Sequence, residues 1–319
     1  MSYGLKQIRE YAFIEPEEKE LLKSIRRPIV LLLKKEPNPL SKEVSPENRY
    51  LGAMLPYTPL HYLILASGFT ALVMTSGSIW GGEILIVEPA LFRRAASLSY
   101  VPMPGSASAI KEPWRMAVSY LYHAFGEEFW DLDLPLLKEI EEKNITIITE
   151  MISKNINSPL TSSLGRLFDG IASIIGIRNY VSFEGQAAME LEMLADGNSE
   201  ETYDYEWLSD DTYKLLTQSI ICGVVKDMET GIHPARISSK FHTTLIKLFS
   251  ELFGVIRKES GLNRIVLSGG VFQNSILLTG LIKILDEKNF EVYTHSKVPT
   301  NDGGISLGQA VVAAAIAKR

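Results

Sequence analysis

The sequence predicts an α/β fold arranged in two units. Three features carry that prediction: short, continuously apolar runs cut by glycine and proline early in the chain, strands alternating with helices toward its end, and two glycine-rich strand-to-helix turns there. The 319 residues are about two domains of chain. With 46% hydrophobic and 22% charged residues, the composition supplies a sizeable core and excludes global disorder. A net charge of −6 argues against a broad nucleic-acid surface while leaving room for one small basic site. The single cysteine, Cys222, excludes an intrachain disulfide framework and an all-cysteine zinc site. In the apolar run Ser219–Val225 it reads as a buried small hydrophobe rather than a reactive thiol.

The first unit runs from Met1 to Gly77. Glu15–Ile25 is a predicted helix, with Glu17, Glu18 and Glu20 placed favourably near its positive end. Pro28 opens the strand run Ile29–Leu33, and Pro37–Ser41 is a polar turn. From Tyr50 to Gly82 no side chain carries a formal charge, a stretch long enough to cross a bilayer. Pro56, Pro59, Gly68, Gly77 and Gly81 divide it, and the pieces read as buried strands at Leu60–Ala66 and Ala71–Met74, followed by Ile84–Val87. No membrane span is expected. The N-terminus, MSYGLKQIREYAF, lacks the apolar core of a signal peptide, so a cytoplasmic protein is the default.

From Ser78 onward helices dominate. Trp114–Phe125, Leu134–Glu150, Leu164–Ile175, Phe183–Leu194, Asp210–Asp227 and Ser238–Glu259 carry helical apolar spacing, and the acidic segment Asp196–Trp207 reads as a surface loop or edge strand. Asn155–Ser163 is a loop. Alternation follows: strand Arg264–Leu267, loop Ser268–Gln273, helix Asn274–Lys288, strand Glu291–His295 and helix Ile305–Ala317.

Chemistry concentrates in that last part. In the run IVLSGGVFQN an apolar strand enters Gly269-Gly270, where the backbone can take positive φ and approach a ligand closely, and the following helix offers N–H groups to an anion. The same turn also serves simply to close a tight loop. VPTNDGGISLGQ is a second such turn, with Asp302 placed to meet a ligand or metal, or to cap the helix. Asp169 lies among apolar helix residues and needs a partner, either a ribose hydroxyl or Arg166, and Glu184 precedes a small-residue helix; capping or a surface face are the plainer roles for both. Two glycine-rich turns on neighbouring strands suggest a nucleotide or phosphate cleft. No catalytic residue is assigned.

The motifs LSGGVFQN, VPTNDGGISLGQA, TSSLGRLFDGIA, FEGQAAMELE, IWGGE, IKEPWRMA and ISSKFHTTL resemble those of the HypF family, the carbamoyltransferases of NiFe-hydrogenase maturation. They span Ser78–Arg319, which is similar to the latter part of that family's TsaD-like domain, an ASKHA (actin-like ATPase) fold lacking its first part. RRPIVLLLK, LGAMLPYTPLHYLIL and LVMTSG resemble the last third of its YrdC-like domain. The expected organisation is therefore a partial YrdC-like α/β segment at 1–77 joined to an incomplete TsaD-like domain at 78–319.

The resemblance implies that the YrdC-like domain makes carbamoyl-adenylate from carbamoyl phosphate and ATP, and that the TsaD-like domain passes the carbamoyl group to the C-terminal cysteine of a HypE-like partner. By resemblance Asp169, Glu184, Gly269, Gly270 and Asn274 bind nucleotide, and Asp302 is a metal ligand. The acylphosphatase and zinc-finger-like modules of the family are not matched. The histidine-rich metal motif and most of the phosphate loop fall in the gap between Gly77 and Ser78, where Gly77 stands nearest to the loop's end. His61, His123, His233, His242 and His295 show no HxxxH spacing, so a divalent metal at Asp302 would lack its histidines. Impaired stand-alone activity is expected. A non-catalytic module that binds HypE or HypF, with self-association through strand edges, and a gene relic are the alternatives. A small-molecule kinase is disfavoured, because Thr75–Ser78 offers no aspartate to a phosphate loop.

Overall fold

In the computed structural model, which describes residues 1–24, 27–40, 49–57, 61–62, 65–66, 71, 82–88, 91–197 and 199–317, the chain divides into two units. One comprises Met1–Ser76, Glu88–Leu91 and Ser296–Arg319; the other comprises Gly77–Val87 and Phe92–His295.

The first unit opens with α1 (Leu5–Tyr11) and α2 (Pro16–Lys23). Glu15 caps α2 in a reciprocal box: its N–H donates to Glu18 Oε2 at 2.7 Å while its own carboxylate accepts from the Glu18 N–H, and Pro16 supplies the preset φ. Strands β1 (Val30–Leu33) and β2 (Tyr50–Ala53) pair antiparallel, with Val30 opposite Ala53. Their inward residues, Leu32 and Leu51, bury against Ile8, Tyr11 and Leu22.

The second unit holds most of the core. Strands β3 (Glu83–Glu88) and β4 (Leu91–Leu98) lead through β5 (Val101–Pro102) into helices α3 (Ala107–Lys111), α4 (Pro113–Phe125), α5 (Pro135–Glu139) and α6 (Glu142–Ser153). Then come β6 (Leu160–Thr161), α7 (Leu164–Ile174), α8 (Gln186–Leu194), β7 (Glu206–Leu208), β8 (Tyr213–Leu216), α9 (Gln218–Glu229) and α10 (Pro234–Ser260). A βαβ unit follows, made of β9 (Arg264–Leu267), α11 (Ser275–Glu287) and β10 (Glu291–Thr294). Four strands form a sheet in the order β3-β4-β8-β7, with β4 and β8 parallel; β9 and β10 form a separate parallel pair. Gly170 on α7 lets α4 pack close, since a Cβ there would stand 2.7 Å from Tyr120 Cδ2. The chain closes with α12 (Ile305–Ala317), whose Leu307 and Ala310 pack on Met1 and Leu65 inside the first unit.

Several expectations need correction. His61, Tyr62 and Leu65 are helical, not part of a strand, and the Ala66 N–H donates to the Tyr62 carbonyl. Leu134–Glu150 is two helices, because the chain turns extended at Ile140 and Glu141. Asp210–Asp227 begins as strand β8, paired parallel to β4, before α9 starts at Gln218. The segment expected as a surface loop or edge strand ends in β7, the last strand of its sheet, but its Tyr203 is buried: the N–H donates to Thr244 Oγ1 and the hydroxyl donates to Asp227. Cys222 is half-buried rather than buried, and burial raises its thiol pKa, so the thiolate is disfavoured. Ala71 apart, the run Ala71–Met74, the stretch Thr75–Ser78 and the Gly77–Ser78 junction lie outside the described residues. Among the described residues, no helix is long and apolar enough to cross a membrane.

Candidate nucleotide-binding site

Strands β9 and β10 run parallel with Leu267 beside Thr294, so both end at one sheet edge. Ser268 follows β9 and His295 follows β10, and the two meet there, His295 Nε2 lying 2.9 Å from Ser268 Oγ. Gly269 then adopts φ +111° and ψ 160°, a conformation essentially restricted to glycine. Among the described residues, and leaving out the chain neighbours, no atom lies within 4 Å of where a Cβ would stand on Gly269 or Gly270.

A short 3-10 turn, Gly270–Gln273, delivers Asn274 to the start of α11. Asn274 is almost wholly buried and fully engaged: Oδ1 accepts the Leu277 N–H at 2.8 Å, and Nδ2 lies 2.9 Å from His242 Nε2. Glu192 of α8 takes the Ser275 N–H as well. These helix N–H groups are thus satisfied by the protein itself.

Asp169 and Arg166 lie one turn apart on α7, whose first residue is preceded by the cap Ser163. Both are buried and pair at 2.9 Å between Arg166 Nη1 and Asp169 Oδ2. Of the two partners expected for Asp169, the structure supplies the arginine. Burial pushes the Asp169 carboxyl up to about 6; Arg166 opposes the shift and the nearby Glu184 charge adds to it. Glu184 is exposed, just before Gly185, which turns left-handed at φ 84° to start α8. Helix α7 packs on the Gly270–Gln273 turn, and Phe168, next to Asp169, stacks edge-on to His242 at 5.4 Å between ring centres. Asp169, the glycine turn and Asn274 therefore belong to one packed assembly, with Glu184 close enough to act on Asp169.

Asp302 belongs to the other unit. It is exposed and opens a 3-10 turn that Asn301, rather than Asp302, caps by accepting the Gly303 N–H at 3.1 Å. Among the described residues, Asp302 joins no group of three or more His, Cys, Asp or Glu side chains that could hold a metal ion. Sequence reasoning missed the parts played by Glu192 and His295. For His242 a signal existed, since it falls on the apolar stripe of α10, where a polar ring needs a partner.

Residues 74–309 match the family model described as carbamoyltransferase, Kae1-like domain, second subdomain, and residues 1–105 match the Sua5/YciO/YrdC model described as telomere recombination. Carbamoyltransferase HypF of Rhizobium leguminosarum bv. viciae is 36% identical over 248 residues, which is 75% of this chain and 30% of the relative. HypF of Synechocystis is 33% identical over 251 residues, covering 73% of this chain and 31% of the relative. The chain thus spans just under a third of the length of these relatives. A crystal structure of full-length HypF in the phosphate- and nucleotide-bound form superposes with TM-score 0.73 at 27% identity, over 100% of this chain and 79% of that one. HypF of T. kodakarensis, at 17% identity, shares the fold with TM-score 0.67 over 100% of this chain and 67% of that one. The sheet, the glycine turn and the match across residues 74–309 agree: this chain belongs to the HypF carbamoyltransferase family, joining a YrdC-like segment to a Kae1/TsaD-like one.

Proposed function

We propose that this chain carries the nucleotide cleft of a HypF-type carbamoyltransferase, with ATP or carbamoyl-adenylate as the ligand. The phosphates lie over Gly269 and Gly270, Glu184 lines the ribose side with the buried Arg166–Asp169 pair behind it, and Asn274 sets the end of the turn. The supporting observation is Gly269, held at φ +111° at the strand-to-helix turn, where among the described residues other than the chain neighbours no atom lies within 4 Å of a Cβ position on either glycine.

The site serves transfer of a carbamoyl group from the adenylate to the C-terminal cysteine thiol of a HypE-like partner in the cytoplasm: the C–S bond forms as the C–O bond to the phosphate breaks, AMP leaves, and the thiol proton passes to solvent. The two domain segments join near Gly77–Ser78. Since the residues around Asp302 do not assemble a metal site, no step is assigned to a metal, and nucleotide binding by the isolated chain is weak, with no independent carbamoylation. An assay with carbamoyl phosphate, ATP and a HypE protein tests this: no turnover is expected, and robust turnover by this chain alone overturns the impaired-activity part. A second reading, a non-catalytic module that docks HypE, HypF or its own copy, is favoured by β3, which ends the four-stranded sheet and exposes Leu85 and Val87.

A further inference from the structure

We infer that His242 is the positioning residue of the glycine turn: it holds Asn274 in the amide orientation that caps α11, and so fixes where the Gly269–Gln273 turn ends. The argument starts from donors and acceptors. His242 Nδ1 lies 2.8 Å from the Ser238 carbonyl oxygen, which can only accept, so Nδ1 carries the proton. Nε2 is then an acceptor, and the Asn274 amide must present its NH2 group to it, at 2.9 Å. That choice turns Asn274 Oδ1 toward the Leu277 N–H, the bond that caps the helix. A reversed amide sets acceptor against acceptor at the ring and donor against donor at Leu277.

The ring cannot swing away. It is fully buried, with Phe168 and Phe241 edge-on to it at 5.4 and 5.9 Å between ring centres. The charge acting on it comes from Glu192 on α8. Helix α7 contributes Phe168, with Arg166 and Asp169 engaged in their own pair, and α11 contributes the neutral Asn274. On α10 itself, Ser238 is neutral and Lys240 pairs with Asp227. Burial lowers the imidazole pKa below its ordinary value, so the neutral acceptor form persists at neutral pH. Protonation puts an N–H at Nε2 against the Asn274 NH2 group, and the cap is released. Its effect on nucleotide affinity rests on the reading proposed above; the cap itself does not.

The test is amide hydrogen exchange at Leu277 in the full chain without nucleotide, normalised to amides in the middle of α11, alongside ATP titration. His242→Gln keeps an acceptor near the Nε2 position and His242→Leu removes it. Exchange at Leu277 is expected to rise about fivefold in His242→Leu, the size of a lost N-cap, and to stay within about twofold in His242→Gln. In the unaltered chain, protection at Leu277 relative to mid-helix amides is expected to fall as the pH drops through the lowered His242 pKa. Unchanged protection in His242→Leu, or equal loss in both variants, overturns the proposal. Should neither variant fold, the ring tautomer of the unaltered chain decides: an imidazole 15N spectrum that places the proton of neutral His242 on Nε2 overturns the proposal. If exchange behaves as expected while the unaltered chain binds no ATP, the nucleotide reading fails and the positioning role stands.

Discussion

One carboxylate oxygen of Glu192 accepts both the backbone N–H and the hydroxyl of Ser275, each at 2.6 Å. A carboxylate on α8 thereby sits against the positive end of α11, where the helix dipole and two donors both favour it. Replacing Glu192 with alanine removes all three interactions, and urea unfolding is expected to report a loss of about 1–2 kcal/mol. Glu192→Gln, which keeps an acceptor without the charge, recovers about half of that. Equal stability of the two variants and the unaltered chain would show that the clasp contributes nothing.

The Arg166–Asp169 pair is buried, so its two ends fail separately. Removing one partner leaves an uncompensated charge, and Arg166→Met is expected to destabilise by about 3 kcal/mol. Adding Asp169→Leu restores much of it, because two well-packed apolar side chains cost less than one stranded charge. A double-mutant cycle in urea reads the coupling, and additive single effects contradict the pairing.

Stability also depends on pH in a calculable direction. The folded Asp169 pKa of about 6 lies above the ordinary value of 3.8, so the folded state binds the proton more tightly than the unfolded one. That contribution is fully present below the unfolded value and is lost as the pH rises through about 6. Between pH 7.5 and pH 5 it amounts to about 1 kcal/mol in favour of the acid condition. His242 acts with the opposite sign: its lowered folded pKa gives stability at neutral pH that is lost as the pH falls. Comparing urea midpoints of the unaltered chain and Asp169→Asn at the two pH values isolates the aspartate, and identical pH slopes refute its assignment.

The two glycines of the turn should separate fold from binding. Gly269→Ala forces a side chain into φ +111° and is expected to cost about 1–3 kcal/mol in folding. At Gly270 an added Cβ meets no atom of the described residues within 4 Å beyond the chain neighbours, so Gly270→Ala is expected to leave stability within about 0.5 kcal/mol. The same methyl group intrudes on the proposed phosphate position, and ATP affinity is expected to fall about tenfold. Thermal melting and calorimetric titration of one preparation check both halves, and unaltered ATP affinity in Gly270→Ala contradicts the phosphate position.

Residues whose role is written in local chemistry were legible in the sequence. Strand β9 and helix α12 have the bounds expected for them, and α10 follows its apolar spacing over 27 residues. The glycine turn announced itself because only glycine tolerates such a backbone. Tyr213–Leu216 was read as helix because a short apolar run fits either period, and what makes it a strand is β4 alongside. The break at Ile140 and Glu141 carries no glycine or proline and left no signal. Glu192 lies 83 residues from Ser275, and Asn274 lies 32 from His242, so both roles arise only when helices distant in sequence converge.

The central claim, that the glycine turn belongs to a working nucleotide cleft, is tested most directly by isothermal titration of this chain with ATP. Saturable binding with Kd on the order of 0.1–1 mM, weakened in Gly270→Ala, is the predicted result. The absence of saturable binding by a folded chain, or an identical Kd in that variant, would contradict the account.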